Sequence, residues 1–552
     1  MSIRRLFVAL PTWLLAIYVV VYVARGHLPY VQYPYEENMD EGYLMAVGVR
    51  MVRGHLVPYV DGVAHSGPLY LYLGALLASF DQFGYLALRW ASLICFCTVA
   101  LFTYGCGRAA GKPLAGAVAT TAVPLYSLFW LSAWDGIALN AETPVNVFSL
   151  AAFYAVICAV GSPAKAPSIR WTAAAGALLV VSALFKQVGA LLGLPIVVYF
   201  AAWLWHRSEL DTKAKGRFAL TFLVAGAIPV MLVLLWSALQ GGLRDLYYYV
   251  VVYNRDIYMA PLKDQSRLKA YYEWIGNRPL EMTVFTAAVM HAASQWIAAR
   301  RTTGSWYEAY LKNSFAITVS ALCVAALIGA RASMREFAHY FLLMAPWVGL
   351  MAGSLIDTQP RDGAARSSWL TAASDAAVAL PLIAVIEMCA SIRAERLRPW
   401  IDGHNVFADG QYKPPMCAVI DAHTKRGDPI FVWGFRAEYY IGCARLPASR
   451  YVFTTFVAGI VPWNFHTTKE AEDKLAVPGS RGILLSELEQ IKPRLLIDTG
   501  ETWLGGHSIN RYDELRDYVA RHYHPAENVQ GEQVYVRNDE PPPPPAAAAA
   551  KP

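Results

Sequence analysis

Seven ionisable side chains, far apart in the sequence, form a set able to handle a phosphate ester: Asp40, Glu41, Glu142, Lys186, Arg331, Arg335 and His339. Lysine and arginine hold phosphate oxygens, and arginine offers a forked, two-point contact. A carboxylate accepts the proton of an attacking hydroxyl, or fixes a divalent metal that neutralises a leaving phosphate. Asp40 and Glu41 open the segment MDEGYLMAVGVRMVRG directly after the first apolar run. Neighbours on a helix point in different directions, so only one of them can face a reaction centre. Asp40, ahead of the helix, is the expected base. Glu41 in the first turn gains the favourable dipole interaction, worth about 0.3–1 kcal/mol. The plainer readings are a solvated carboxylate at a membrane surface and a lysine that snorkels to the interface.

These residues need elements to hold them at one level. Of the 552 residues, 56% are hydrophobic and 16% charged, against about 25% charged in an ordinary soluble domain. Mean hydropathy is +0.33. Apolar stretches of membrane-span length recur near 6–25, 82–105, 113–132, 142–160, 171–185, 188–205, 218–238, 280–298, 313–330, 338–356 and 370–390, which predicts about eleven spans. Arg4, Arg5, Arg108, Lys112, Lys165, Arg170, Arg217, Arg300, Arg301, Arg361 and Arg366 then fall on one side. By the positive-inside rule that side is the cytoplasm. The seven residues above fall at span ends on the other side, where shared sidedness suggests one polar cavity.

The expected architecture is therefore a membrane all-α, multipass bundle over 1–391, followed by an extracytoplasmic α/β domain over 392–539 and a low-complexity tail over 540–552. The outer segments 26–81 and 239–279 are long enough to carry function. In the first, Tyr43, Leu44, Val47 and Met51 recur at helical spacing, as in a helix lying along the interface. The second is rich in aromatics, with Tyr247, Tyr248, Tyr249, Tyr253 and Trp274, which argues against disorder. In the last region, 429–435, 494–499 and 532–538 read as strands and 514–523 as a helix. Cys417 and Cys443 lie in that polar region and could pair if it is extracytoplasmic. The +6 net charge lacks a basic cluster interleaved with exposed aromatics, so nucleic acid is not an expected partner. HExxH, CxxC, P-loop and GxSxG patterns are absent.

Taken in order, these pieces resemble the GT-C superfamily of membrane glycosyltransferases, close to its ArnT-like and protein O-mannosyltransferase-like members. The residues that carry the resemblance are Asp40-Glu41 and the helix after them, Tyr59-x-Asp61, Ser66-Gly67-Pro68-Leu-Tyr70, Glu142, Phe185-Lys186-Gln187, Arg335 to Pro346 with His339-Tyr340, and 431–451. Gly67-Pro68 departs from the two prolines frequent in relatives.

The resemblance implies a polyprenyl-phosphate sugar donor reaching the protein from the surrounding lipid. Asp40 would be the base, and Lys186, Arg331, Arg335 and His339 would hold the lipid phosphate. Transfer would invert the anomeric carbon and end on a hydroxyl or amine of a glycan, glycolipid or protein. Tyr59, Asp61, Tyr70, Glu142, Tyr253, Trp274 and Tyr340 would line the substrate pocket. The resemblance leaves a divalent cation (Mg or Mn on Asp40, Glu41 or Glu142) and the oligomeric state open. The expected location is the plasma (inner) membrane, with the N-terminus cytoplasmic. A transporter or flippase of lipid-linked sugars, or a noncatalytic scaffold of envelope-glycan assembly, are the rival readings.

Overall fold

The computed structural model describes residues 3–31, 39–54, 57–123, 138–160, 166–258, 279–332, 337–356, 414–460 and 468–538. Arg335, Trp274, the apolar run near 370–390 and the tail lie outside these residues.

The apolar runs fold as helices: α1 (Ile3–Val31), α2 (Met39–Arg53), α3 (Pro68–Phe80), α4 (Leu86–Ala109), α5 (Pro113–Thr120), α6 (Glu142–Val160), α7 (Ile169–Phe185), α8 (Val188–His206), α9 (Thr212–Leu239), α10 (Leu243–Tyr247), α11 (Pro279–Thr303), α12 (Trp306–Arg331) and α13 (Ala345–Ile356). Among the described residues, α4, α6, α8, α9 and α12 are long and apolar enough to cross a membrane. The chain is thus a multipass all-α bundle. Helix α6 is the most enclosed of these five and α9 the most exposed. On α9, Leu220, Leu223 and Leu232 point outward, as a helix facing lipid requires.

One end of the bundle collects basic residues. Arg207 at the end of α8 donates to the Val160 carbonyl at the end of α6 (3.0 Å), and His206 lies 4.0 Å from Glu308 in the first turn of α12. Arg108, at the end of α4, stacks over Trp13 of α1.

Within the bundle and the segments joined to it, three elements differ from the sequence reading. The stretch from 338 does not begin as a straight span: it opens with a 3₁₀ turn, Ala338–Met344, before α13. Asn146 fixes that turn by donating to the Leu342 carbonyl at 2.7 Å. The segment after α9 is not a plain loop, since α10 widens into a π-helical stretch, Tyr248–Tyr258. Helix α2 forms where expected but does not lie with one face on lipid. Its residues from Glu41 to Val49, and Met51, are buried, because α3 packs on one side and the C-terminal domain on the other. The α2–α3 crossing depends on two glycines: a Cβ on Gly48 would sit 2.4 Å from the Gly74 carbonyl oxygen.

The C-terminal domain is an α/β unit around a five-stranded sheet. Strands β1 (Pro429–Trp433), β2 (Leu446–Pro447), β3 (Leu495–Asp498), β4 (Tyr523–Val529) and β5 (Glu532–Arg537) run in the order β2-β1-β3-β5-β4. The β2-β1-β3 part is parallel and the β3-β5-β4 part antiparallel. Strand β4 was not expected. Its sequence YHPAENV is polar and contains proline, which an edge strand with a bulge tolerates. Gln530 and Gly531, both at positive φ, make the tight turn into β5. Cys417 and Cys443 are joined by a disulfide.

Candidate active site

The end of the bundle away from the basic cluster is closed by the C-terminal domain. Tyr43 of α2 stacks on Phe453 (4.2 Å between centroids), and the Val63 amide donates to the Arg450 carbonyl at 3.2 Å. Four segments meet beneath this contact: the start of α2, the start of α6, the α7–α8 junction and the 3₁₀ turn.

The short α7–α8 junction carries Lys186. Its place is set by Gly67, whose amide donates to the Phe185 carbonyl at 3.2 Å. A Cβ on Gly67 would lie 2.3 Å from the Leu184 oxygen and 2.6 Å from that of Phe185. The segment before α3 can approach the end of α7 only because this residue is glycine. Lys186 is ion-paired with Glu142, the first residue of α6. Its ammonium also lies over the Tyr340 ring, 4.1 Å from the centroid. Tyr340 in turn shares a 2.9 Å hydrogen bond with the Tyr258 hydroxyl.

Asp40 meets the 3₁₀ turn from the other side. Its Oδ2 lies 3.5 Å from Nε2 of His339. The His339 ring stacks on Phe337 (5.6 Å) and abuts Tyr340 edge-on (4.7 Å). Exposure separates the three carboxylates. The Asp40 side chain is 37% exposed, Glu142 1% and Glu41 0%. Asp40 is therefore the carboxylate an incoming group can reach. Glu41 turns into the bundle and pairs with Arg89 of α4 at 3.3 Å, both side chains fully buried. Tyr70 is buried near these groups: its hydroxyl donates to the Leu139 carbonyl at 2.9 Å, within electrostatic reach of Asp40, Glu142 and Glu41.

The structure thus brings together Asp40, Glu41, Tyr70, Glu142, Lys186, His339 and Tyr340. Arg331 ends α12 at the same end of the bundle and is buried. Tyr59 and Asp61 serve the turn between α2 and α3. The Tyr59 hydroxyl donates to the Ser66 carbonyl at 2.8 Å, and Asp61 accepts from the Val57 amide at 3.3 Å. Tyr253 is buried against Phe456 of the C-terminal domain at 4.9 Å.

Three participants escaped the sequence reading. Arg89 was one, although an arginine inside an apolar run is itself a signal. Tyr258 and His65 were the others. His65 stacks on Tyr258 at 4.5 Å, and Asn254 donates to the His65 carbonyl at 2.8 Å.

Among the described residues, no group of three or more His, Cys, Asp or Glu side chains is placed to hold a metal ion. Each of the three carboxylates proposed for that role instead faces a basic side chain: Asp40 faces His339, Glu41 faces Arg89 and Glu142 faces Lys186.

Comparison with solved structures gives one fold. The chain is similar to ArnT from Cupriavidus metallidurans bound to undecaprenyl phosphate, with a TM-score of 0.54 and 14% identity, covering 95% of this chain and 97% of that one. Against the apo state of the same protein the TM-score is 0.50, with the same identity and coverage. At this identity the likeness is one of fold, shared by the bundle and its C-terminal domain with that protein. No protein-family model matches the chain. No curated protein matches it either.

Proposed function

We propose that this protein transfers a sugar from a polyprenyl-phosphate donor to an acceptor hydroxyl or amine on the extracytoplasmic face, with inversion at the anomeric carbon. The observation that carries the reading is that Asp40, the most exposed of the three carboxylates, faces His339, which abuts the same Tyr340 ring that Lys186 lies over. The fold shared with a protein that binds undecaprenyl phosphate supports the class of donor.

In the reaction, the acceptor oxygen or nitrogen attacks the anomeric carbon from the side opposite the phosphate. The new bond forms as the bond from carbon to phosphate oxygen breaks, and polyprenyl phosphate leaves with the electron pair. Asp40 takes the acceptor's proton. One base suffices, because cations stabilise the departing phosphate without protonating it. This differs from hydrolysis between sugars, where two carboxylates share the work.

Lys186 is assigned to the donor phosphate, and Glu142 holds it in place until the donor arrives. His339 and Arg331 are assigned to the same anion-binding role, and Arg335, outside the described residues, is proposed with them. Glu41 and Arg89 form the buried support that fixes the first turn of α2, and with it the aim of Asp40. The buried Glu41–Arg89 pair lies in a low-dielectric surrounding, which strengthens its charge interaction.

The test is a panel of polyprenyl-phosphate sugars offered to the purified protein, with and without EDTA. Release of polyprenyl phosphate from one donor, coupled to an acceptor, is the expected outcome, and the EDTA arm decides whether a divalent cation takes part. Release from none, with transport of the intact lipid-linked sugar across vesicles, would replace this reading with a flippase.

A further inference from the structure

A second site lies farther along α2, where it meets the C-terminal domain. Arg50 is ten residues beyond Asp40, about 15 Å along the helix axis at 1.5 Å per residue. There, a cleft of about 690 Å³ opens between α2 and the helix Ser480–Ile491, lined by Arg50, Arg450, Gly482, Ser486, Glu487 and Gln490.

Glu487 organises the cleft and is spent doing so. Its Oε1 accepts from Arg50 Nη2 and Arg450 Nε, each at 2.9 Å. Its Oε2 accepts from the Ser449 hydroxyl at 2.7 Å and the Arg450 amide at 3.1 Å. Arg50 also donates to the Pro447 carbonyl at 3.2 Å, and Asp61 reaches it electrostatically. Two arginines share this one carboxylate, so the cleft keeps an excess of positive charge.

Only Nε of that guanidinium is engaged, so both terminal nitrogens are without a partner among the described residues. The same holds for the Ser486 hydroxyl and the Gln490 amide. The buried Nε of Arg50 likewise has no hydrogen-bond partner there. Gly479 and Gly482 bare the helix toward this space, since a Cβ on either would meet nothing within 4 Å.

An arginine pinned through Nε presents its outer edge as a two-point fork, the geometry that matches a phosphate. Hydroxyl and amide groups beside it suit a polyol. We propose that this cleft binds a phosphate ester of a polyol, with Arg450 as the clamp and Ser486 and Gln490 on its hydroxyls. The site is separate from Asp40 and does not depend on the reaction proposed above. Its ligand is either the headgroup of an anionic membrane lipid or a phosphate-bearing group that arrives from outside the membrane.

The experiment is calorimetric titration of the full chain with glycerol 1-phosphate, first in dodecyl maltoside and then in phosphatidylglycerol nanodiscs. In detergent the wild type binds, glycerol does not, and Arg450→Gln weakens binding at least tenfold. Gln490→Glu sits on the rim, leaves the Glu487 network intact, and also weakens binding at least tenfold through charge repulsion. Asp40→Asn changes nothing. Loss of binding in phosphatidylglycerol nanodiscs assigns the site to a membrane headgroup. Unchanged binding there assigns it to a phosphate from outside. Equal binding by wild type and Gln490→Glu, or no binding in detergent by a wild type that melts cooperatively, overturns the proposal.

Discussion

Lys186 and Glu142 form an ion pair in which the carboxylate is almost fully buried and the lysine remains partly open, with side-chain exposures of 1% and 21%. In the proposed reaction the open partner meets the donor phosphate, and the buried partner fixes where it waits. Lys186→Met removes the cation but keeps the apolar stem over Tyr340. Affinity for polyprenyl phosphate should fall at least tenfold, or about 1.4 kcal/mol, with Lys186→Arg recovering part of it. Equilibrium binding of the labelled lipid phosphate measures this directly.

The Arg89–Glu41 pair is closed to solvent on both sides. Breaking it from one side leaves an uncompensated buried charge, which costs about 3–5 kcal/mol. Arg89→Met should therefore lower the midpoint of thermal unfolding sharply. The double variant Arg89→Met with Glu41→Gln should regain most of the loss. A double-mutant cycle in which the two effects simply add would show that the pair is not coupled.

Gly67→Ala tests how the α7–α8 junction is positioned. The added Cβ meets two backbone oxygens, those of Leu184 and Phe185, and backbone cannot rotate away as a side chain can. The variant should insert into the membrane and keep its C-terminal domain, yet lose transfer activity by an order of magnitude or more as Lys186 is displaced. Unimpaired turnover would show that the junction tolerates a shift of that size.

Glu438 gives the C-terminal domain a pH signature. Burial pushes its carboxyl up to about 7 from the ordinary 4.5, with Arg436 opposing the shift and Glu532 adding to it. The folded state thus holds this proton more tightly than the unfolded chain does. The resulting stability is fully present below about 4.5 and is lost as pH rises through about 7. Wild type should melt at progressively lower temperature across that window, relative to Glu438→Gln, which cannot ionise. Parallel melting curves for the two proteins between pH 5 and 8 would remove Glu438 from the account.

Much of the architecture was legible because span-length apolar runs have few alternatives in a membrane. Basic residues also marked one end of the bundle, where Arg207 and His206 are found. What escaped notice depends on long-range partners. Tyr523–Val529 is polar because it is an edge strand, and only its pairing with β5 makes it one. The 3₁₀ turn at Ala338 is held by Asn146, far away in sequence. The candidate site was visible as charges sharing a side, without their pairing. That Asp40 faces His339 while Glu41 faces Arg89 follows from the pitch of α2 and the crossing at Gly48 and Gly74, which spacing alone does not supply.

The central claim is that Asp40 takes the acceptor's proton while cations from other helices hold the departing phosphate. Asp40→Asn keeps the size and hydrogen-bonding shape of the side chain and removes its basicity. Single-turnover release of polyprenyl phosphate from the active donor should fall by at least about a hundredfold, the lower end of general-base effects, while binding of the lipid phosphate stays within a factor of two of wild type. Release within a few-fold of wild type would contradict the account.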